Sequence, residues 1–303
     1  MSKKSKMTYV DMAKNNALMY EISVEVNKIP SKHELNLGSS IDINWLREES
    51  VHLVLTSPPY WNLKEYNNVC GQLGHIDDYN QFLASLKKVF KHCYRVLVPG
   101  GRICCVVGDV CLSRRNNNGR HCVYPLHSSI VEMCRDIGFD NLTPIIWHKI
   151  SNIITESSKG GAILGRPYQP NAIIKNDIEY ILMFRKFGSY RSVSEKTRQL
   201  SLISEDNFKL WFRSIWSDIP GVSILDHPAP FPEKLAGRLI RMFSFVGDIV
   251  LDPFMGTGTT NFMAEKYGRN SIGIEIDPFY FESAYRRLDL ERLLDTIIKK
   301  NIR

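Results

Sequence analysis

Two short segments hold residue types and spacings that suit chemistry. The first is Thr56-Ser57-Pro58-Pro59-Tyr60-Trp61. An exocyclic amine on a nucleobase is conjugated with its ring and is a poor nucleophile. Two neighbouring oxygen acceptors can each take one amine hydrogen and turn the nitrogen lone pair toward an electrophile. Ser57 Oγ and the Pro58 carbonyl offer that pair, and Pro58-Pro59 fixes the backbone behind it. Tyr60 offers a ring on which a base can stack. The plainer reading is a proline-stiffened loop with packed aromatics. A hydrolase nucleophile at Ser57 is disfavoured, because no Gly-x-Ser-x-Gly surrounds it.

The second segment is Leu251-Asp252-Pro253-Phe254-Met255-Gly256-Thr257-Gly258-Thr259-Thr260. A strand that runs into a glycine turn and then a helix brings backbone close to a ligand at the carboxyl end of a sheet. Glu275 ends the next apolar run, where a carboxylate can accept hydrogen bonds from both hydroxyls of a ribose. The full dinucleotide fingerprint is broken, because Asn261 stands where its third glycine belongs. No Gly-Lys-Ser/Thr follows, so a P-loop is excluded as well. A nucleoside ligand without a pyrophosphate fits best; structural glycines are the alternative.

The elements that must position these residues follow from periodicity. Val51 to Leu55 predicts a strand that delivers Ser57 to its carboxyl end. Asp77-Asp78 open a helix whose apolar face is Phe82, Leu83, Leu86, Val89, Phe90, Cys93 and Leu97, closed by Gly100-Gly101. Ile103 to Val107 predicts a buried strand ending at Gly108-Asp109. Leu126 to Ile137 predicts a second helix stopped by Gly138. Strands near Leu142–Trp147 and Ile178–Phe184 complete a parallel α/β half. The C-terminal part repeats the pattern: strand Ile249–Leu251, helix Thr260–Tyr267, strand Ile272–Ile276 and a last helix from Phe281 to Ile298.

The chain has 303 residues, 44% hydrophobic and 23% charged, which is ordinary globular composition. The net charge of +7 permits a nucleic-acid partner without requiring one. No apolar run is long enough for a membrane span, and the basic start has no apolar stretch behind it, so neither membrane nor secretion is expected. Seven cysteines without a C-x-x-C pair argue for reduced thiols in a cytoplasmic protein and against a metal site. Adjacent Cys104 and Cys105 are expected to face opposite sides of one strand.

At these two segments the chain resembles the amino-methyltransferases of DNA. Thr56-Ser57-Pro58-Pro59-Tyr60 looks like their catalytic motif, and Asp252-Pro253-Phe254-Met255-Gly256-Thr257-Gly258 like their cofactor motif. His227-Pro228-Ala229-Pro230-Phe231-Pro232-Glu233-Lys234-Leu235 looks like the segment that helps enclose the methionine part of the cofactor. The catalytic motif comes first, an order similar to the beta, circularly permuted group. Serine at position 57 resembles the cytosine-N4 enzymes of restriction-modification systems. One departure is Gly38-Ser39, where the family often has Gly-Asp.

The resemblance implies a Rossmann-like α/β methyltransferase fold with a mixed, mostly parallel seven-stranded sheet. It divides the chain into an N-terminal extension (1–34), a catalytic half (35–150), a target-recognition region (151–220) and a cofactor half (221–303). It implies S-adenosylmethionine as cofactor, held by Asp252, Pro253, Phe254, Gly256, Gly258, Thr259 and Glu275, with His227 and Phe231. Ser57, Pro58, Pro59 and Tyr60 would hold a cytosine flipped out of duplex DNA, whose N4 takes the methyl group in a direct, in-line transfer. No Pro-Cys pair is present, so the cytosine-C5 mechanism is disfavoured. Between Lys87 and Arg120 eight basic residues face one acid, and Arg114, Arg115 and Arg120 are candidates to grip phosphate. Arg166 and Gln169 are candidates for base contacts. Expected partners are duplex DNA and a cognate restriction endonuclease without stable contact, with the chain a monomer or weak homodimer. Adenine-N6 methylation is the alternative within enzymes; a non-catalytic DNA-binding relative is the alternative outside them.

Overall fold

The computed structural model describes residues 7–63, 66–114, 117–149, 170, 176–222, 232–290 and 296–302. Two helices, α1 (Tyr9–Lys14) and α2 (Asn16–Val26), precede β1 (Lys32–Leu37) and β2 (Val51–Thr56). Next come α3 (Tyr79–Val96), β3 (Leu97–Val107), the short hairpin β4 (Val110–Leu112) and β5 (Cys122–Tyr124), α4 (Leu126–Ile137) and β6 (Asp140–His148). Then follow β7 (Ile178–Arg185), α5 (Glu195–Leu200), α6 (Glu205–Trp211), β8 (Ile215–Trp216) and α7 (Glu233–Phe243). The chain closes with β9 (Ile249–Asp252), α8 (Thr259–Lys266), β10 (Asn270–Glu275), α9 (Pro278–Leu290) and β11 (Ile297–Ile302).

Nine strands form one sheet in the order β11-β1-β10-β9-β2-β3-β7-β6-β8. The inner seven match the expected strand number, and β11 and β8 add one strand at each edge. Every neighbouring pair is parallel except those made by β7, which runs against both β3 and β6. The periodicity predicts a parallel N-terminal half, and β7 makes that half mixed instead. Period-2 patterning marks a strand but carries no direction. Strands β7 and β8 lie within residues 151–220, and β1 spans the 34/35 division.

Side-chain alternation divides the core into two layers. Val54, Ile103, Cys105, Leu182 and Phe184 face α3 and α4. Leu53, Leu55, Cys104, Ile181 and Met183 face α7, α8 and α9. The two adjacent cysteines thus pack on opposite faces, and burial pushes the Cys104 thiol up to about 12. On α3, Asp78 accepts a hydrogen bond from Gln81 N at 2.8 Å as N-cap. The buried face behind it is Phe82, Leu86, Val89, Phe90, Cys93 and Val96, each large side chain contributing about 1.5–3 kcal/mol. The helix ends at Val96 rather than at Gly100-Gly101, because both glycines belong to β3.

The last helix also stops short of its expected end. It finishes at Leu290, and Ile297 starts an edge strand beside β1. Two β-branched residues, Ile297 and Ile298, suit a strand. Asn301 Nδ2 donates to Asn36 Oδ1 at 3.0 Å across that pairing.

Candidate active site

The site lies where the chain reverses its direction of travel across the sheet, between β9 and β2. Ligands of open α/β sheets bind at such a point, outside the carboxyl ends of the strands. The end of β2 delivers Ser57, Pro58 and Pro59; the end of β9 delivers Asp252 to Thr257; the end of β10 delivers Glu275 and Ile276. All of them line one cleft of about 880 Å³ of open space, with Thr259, Ser39, Ser40, Tyr66, Gln72 and Tyr280. Two sequence segments some 200 residues apart are thereby brought together.

Asp252 fixes the turn. Its carboxylate is buried and accepts from Thr56 Oγ1 at 2.8 Å, Thr260 Oγ1 at 2.6 Å and Phe254 N at 3.0 Å. It clamps β2 to β9 and to the start of α8. Burial outweighs the pull of the three donors and leaves its carboxyl raised to about 6. Gly258 is demanded by backbone and packing: its φ is +79°, and a Cβ there would lie 2.8 Å from Ala284 Cβ. Gly258→Ala is therefore expected to cost about 2 kcal/mol. Thermal unfolding of the variant checks this, and an unchanged melting temperature would refute it.

Glu275 is aimed differently. Its Oε2 accepts from Gly256 N at 2.7 Å and its Oε1 from Asp277 N at 2.9 Å. Two backbone donors fix the carboxylate and leave further lone pairs on each oxygen. Burial pushes it up to about 7, against the pull of those two amides. A rigid carboxylate at a cleft wall is suited to a pair of vicinal hydroxyls. Beside it, Gly38 N donates to the Glu275 carbonyl at 2.8 Å. The Ser40 hydroxyl donates to the Pro253 carbonyl, which ties the loop after β1 to the glycine turn.

Tyr60 follows the cleft-lining Pro59 without lining the cleft itself, and is anchored by its hydroxyl. It donates to Glu179 Oε2 at 3.1 Å and lies 3.3 Å from Ser57 Oγ. Burial, then the Glu179 charge, raises the Tyr60 phenol well above its ordinary value. Glu179, on β7, is also paired with Lys149. Sequence reading missed both residues: Glu179 meets Tyr60, and Lys149 meets Glu179, only through strand pairing, and no local motif marks them. Asp109 and His127 form a second unforeseen pair, Nδ1 to Oδ1 at 2.6 Å, with the imidazole stacked on Tyr180 at 3.9 Å between centroids.

Arg114 and Arg120 are exposed in the connection between β4 and β5, where Gly119 N donates to the Arg114 carbonyl at 2.9 Å. Arg115, Arg166, Gln169, His227 and Phe231 lie outside the described residues. Trp147 and Trp216 are fully buried and donate to the carbonyls of Ile219 and Trp211 at 2.8 and 2.9 Å. They serve the core. Among the described residues no cluster of His, Cys, Asp and Glu has the shape of a metal site, and no helix is long and apolar enough to cross a membrane.

The Type II methyltransferase M.MjaI of Methanocaldococcus jannaschii is 39% identical over 281 residues, covering 82% of this chain and 88% of that protein. M.MthZI of Methanothermobacter thermautotrophicus, also a Type II methyltransferase, is 36% identical over 267 residues, 81% of this chain and 73% of its own. Among solved structures, TTHA0409 of Thermus thermophilus, crystallised in complex with S-adenosyl-L-methionine, is 46% identical. It superposes with a TM-score of 0.73 over 88% of this chain and 98% of its own. The cytosine-N4-specific PvuII DNA methyltransferase shares the fold at 20% identity, with a TM-score of 0.56 over 88% of this chain and 92% of its own. The model of the N6/N4 DNA methylases matches residues 51–286, from the first residue of β2 to within α9. It spans both walls of the cleft, and the chain belongs to the N6/N4 DNA methylase family.

Proposed function

We propose that this chain is a beta-class DNA methyltransferase that moves a methyl group from S-adenosylmethionine to the exocyclic N4 of a flipped cytosine, as the modification arm of a restriction-modification pair. The observation that carries this reading is that Ser57-Pro58 and Glu275 line the same cleft. An amine-orienting pair and a ribose-binding carboxylate face one space.

The cleft residues fit the cofactor. Glu275 offers fixed acceptors for two ribose hydroxyls, and Phe254 and Ile276, in the same cleft lining, offer apolar surface for an adenine. Ser40, Pro253, Gly256 and Thr259 also line the cleft. His227 and Phe231 are assigned to the methionine end on sequence alone. When bound, the cofactor supplies a sulfonium-activated methyl carbon. The protein's share is positioning: Ser57 Oγ and the Pro58 carbonyl each accept one amine hydrogen, and Pro59 keeps that carbonyl in place. Tyr60 is assigned to the base beside them on the sequence motif alone.

Duplex DNA is the proposed partner. Base reading is assigned to the parts of residues 151–220 outside strands β7 and β8, with Arg166 and Gln169 as candidates. Phosphate contact is assigned to Arg114, Arg115 and Arg120. Replacing Arg114 and Arg120 together by alanine is expected to reduce the slope of log affinity against log salt by about 2. Titration of duplex DNA at several salt concentrations checks this, and an unchanged slope removes the hairpin from the interface.

The deciding experiment transfers labelled methyl from S-adenosylmethionine to mixed-sequence duplex DNA, followed by nucleoside digestion and mass spectrometry. Label in N4-methylcytosine is the expected result. Label in N6-methyladenine alone would replace cytosine by adenine as substrate. No label in any DNA, with cofactor bound, would leave a DNA-binding relative without catalysis.

A further inference from the structure

An amine must meet a lone pair on Ser57, not the serine proton, and serine alone does not dictate which of the two it presents. We propose that Glu179 dictates it, acting through Tyr60 as a positioning residue; this rests on the amine-methylation reading above. A chain of contacts runs from Ser57 Oγ to Tyr60 OH at 3.3 Å and on to Glu179 Oε2 at 3.1 Å. At its far end Glu179 Oε1 is paired with Lys149 Nζ.

The direction of the chain follows from proton counting. A carboxylate held against a lysine only accepts. Tyr60 has one hydroxyl proton, and the charged acceptor takes it in preference to the neutral Val106 carbonyl at 3.5 Å. The Tyr60 oxygen can then only accept from Ser57. Ser57 also has one proton, and it is spent on Tyr60. Lone pairs alone remain on Ser57 Oγ at the wall of the cleft, which is what an amine requires. Burial keeps the arrangement, since Glu179 is only 9% exposed. Lys149 fixes which carboxylate oxygen faces Tyr60, because its ammonium group donates only.

The test uses E179Q, Y60F and their combination in the full chain. Lys149 keeps the amide oxygen of the E179Q side chain, so its NH₂ turns toward Tyr60 and frees the phenol proton to point at Ser57. The expected result is a fall on the order of 100-fold in single-turnover methyl transfer for E179Q, with cofactor affinity within twofold of wild type. Y60F, which removes the link without reversing it, is expected to fall about tenfold. The double variant is expected to return to the Y60F rate, a rescue that lost packing does not produce.

A readout independent of turnover is the Tyr60 Cζ resonance of protein labelled with ¹³C at tyrosine Cζ, assigned by its loss in Y60F. It is expected to move upfield in E179Q as the phenol stops donating to a carboxylate. E179Q at wild-type rate, an unmoved resonance, or a double variant slower than both singles would overturn the proposal. So would Y60F at wild-type rate, which decides the matter even where E179Q does not fold. Wild-type protein in the same assay keeps the two readings apart. If it transfers no methyl group the amine-methylation reading fails, while the resonance still reports the direction of the chain.

Discussion

Glu275→Ala is expected to weaken binding of S-adenosylmethionine by on the order of 100-fold or more, since a hydrogen bond to a charged group is worth about 1.5–3 kcal/mol and two are lost. The variant also strips Gly256 N and Asp277 N of their acceptor, so part of the loss comes from a loosened turn. Glu275→Gln separates the two contributions, because an amide oxygen can still hold one backbone amide. Calorimetric titration with cofactor checks both variants, and an unchanged affinity in Glu275→Ala would remove this residue from the site. The wild-type protein adds a pH signature. Burial places the free carboxyl at about 7, and the ionised form is the better acceptor for two hydroxyls. Affinity is therefore expected to rise with pH up to about 7 and level off above it. Below that point it falls by at most tenfold per pH unit, with uptake of cofactor releasing a proton. Glu275→Gln is expected to lose this dependence. A flat wild-type profile would show that ionisation of this group is not linked to binding.

Asp252→Ala is the second large effect, and it concerns stability. The carboxylate satisfies three donors at once: the hydroxyls of Thr56 and Thr260, both about 1% exposed, and Phe254 N. Removing it strands buried donors at about 1–3 kcal/mol each. The expected loss is about 3–5 kcal/mol, which lowers the melting temperature by about 6–15 °C for a chain of this size. A melting temperature within about 2 °C of wild type would show that Asp252 is not the clamp. Asp252→Asn keeps one acceptor and is expected to fall between the two. The sign of its pH dependence can be worked out. The folded carboxyl, at about 6, binds its proton more tightly than the unfolded one at 3.8. Its contribution to stability is then fully present below the unfolded value and is lost as pH rises through about 6. Wild type is thus expected to gain on Asp252→Asn as pH falls from 7 to 4, read by urea unfolding at each pH.

Much of the molecule is legible in local pattern, and the remainder fails for one reason. Val51 to Leu55, the α3 face, Gly138 and the Asp252-to-Gly258 turn are set by neighbours along the chain, and their outlines appear in period, caps and prolines. Cys104 and Cys105 fall on opposite faces because a strand alternates. Glu179 is invisible in the same way that β11 is, each being defined by a partner more than 100 residues away, and Lys149 is defined in turn by Glu179 once β6 and β7 are paired. Glu179 reaches Tyr60 only after β7 is laid against β3. Residues 297–302 become a strand only because β1 offers its edge. The role of Asp252 is half legible. Its place in the turn shows in the sequence, but Thr56 across the sheet, which makes it a clamp, does not.

The order of strands also bears on how the protein is made. Strand β2 lies between β3, which follows it closely, and β9, which begins at Ile249. On a ribosome working at roughly 5–20 residues per second, about 10–40 s separate the emergence of β2 from that of β9. Throughout that interval β2 presents an unpaired parallel edge beside the Ser57-to-Tyr60 loop, a hazard for wrong pairing with other chains. Non-local parallel pairing of this kind also folds slowly. A truncated product released in that interval carries Ser57 but neither Asp252 nor Glu275, so it has only one wall of the cleft.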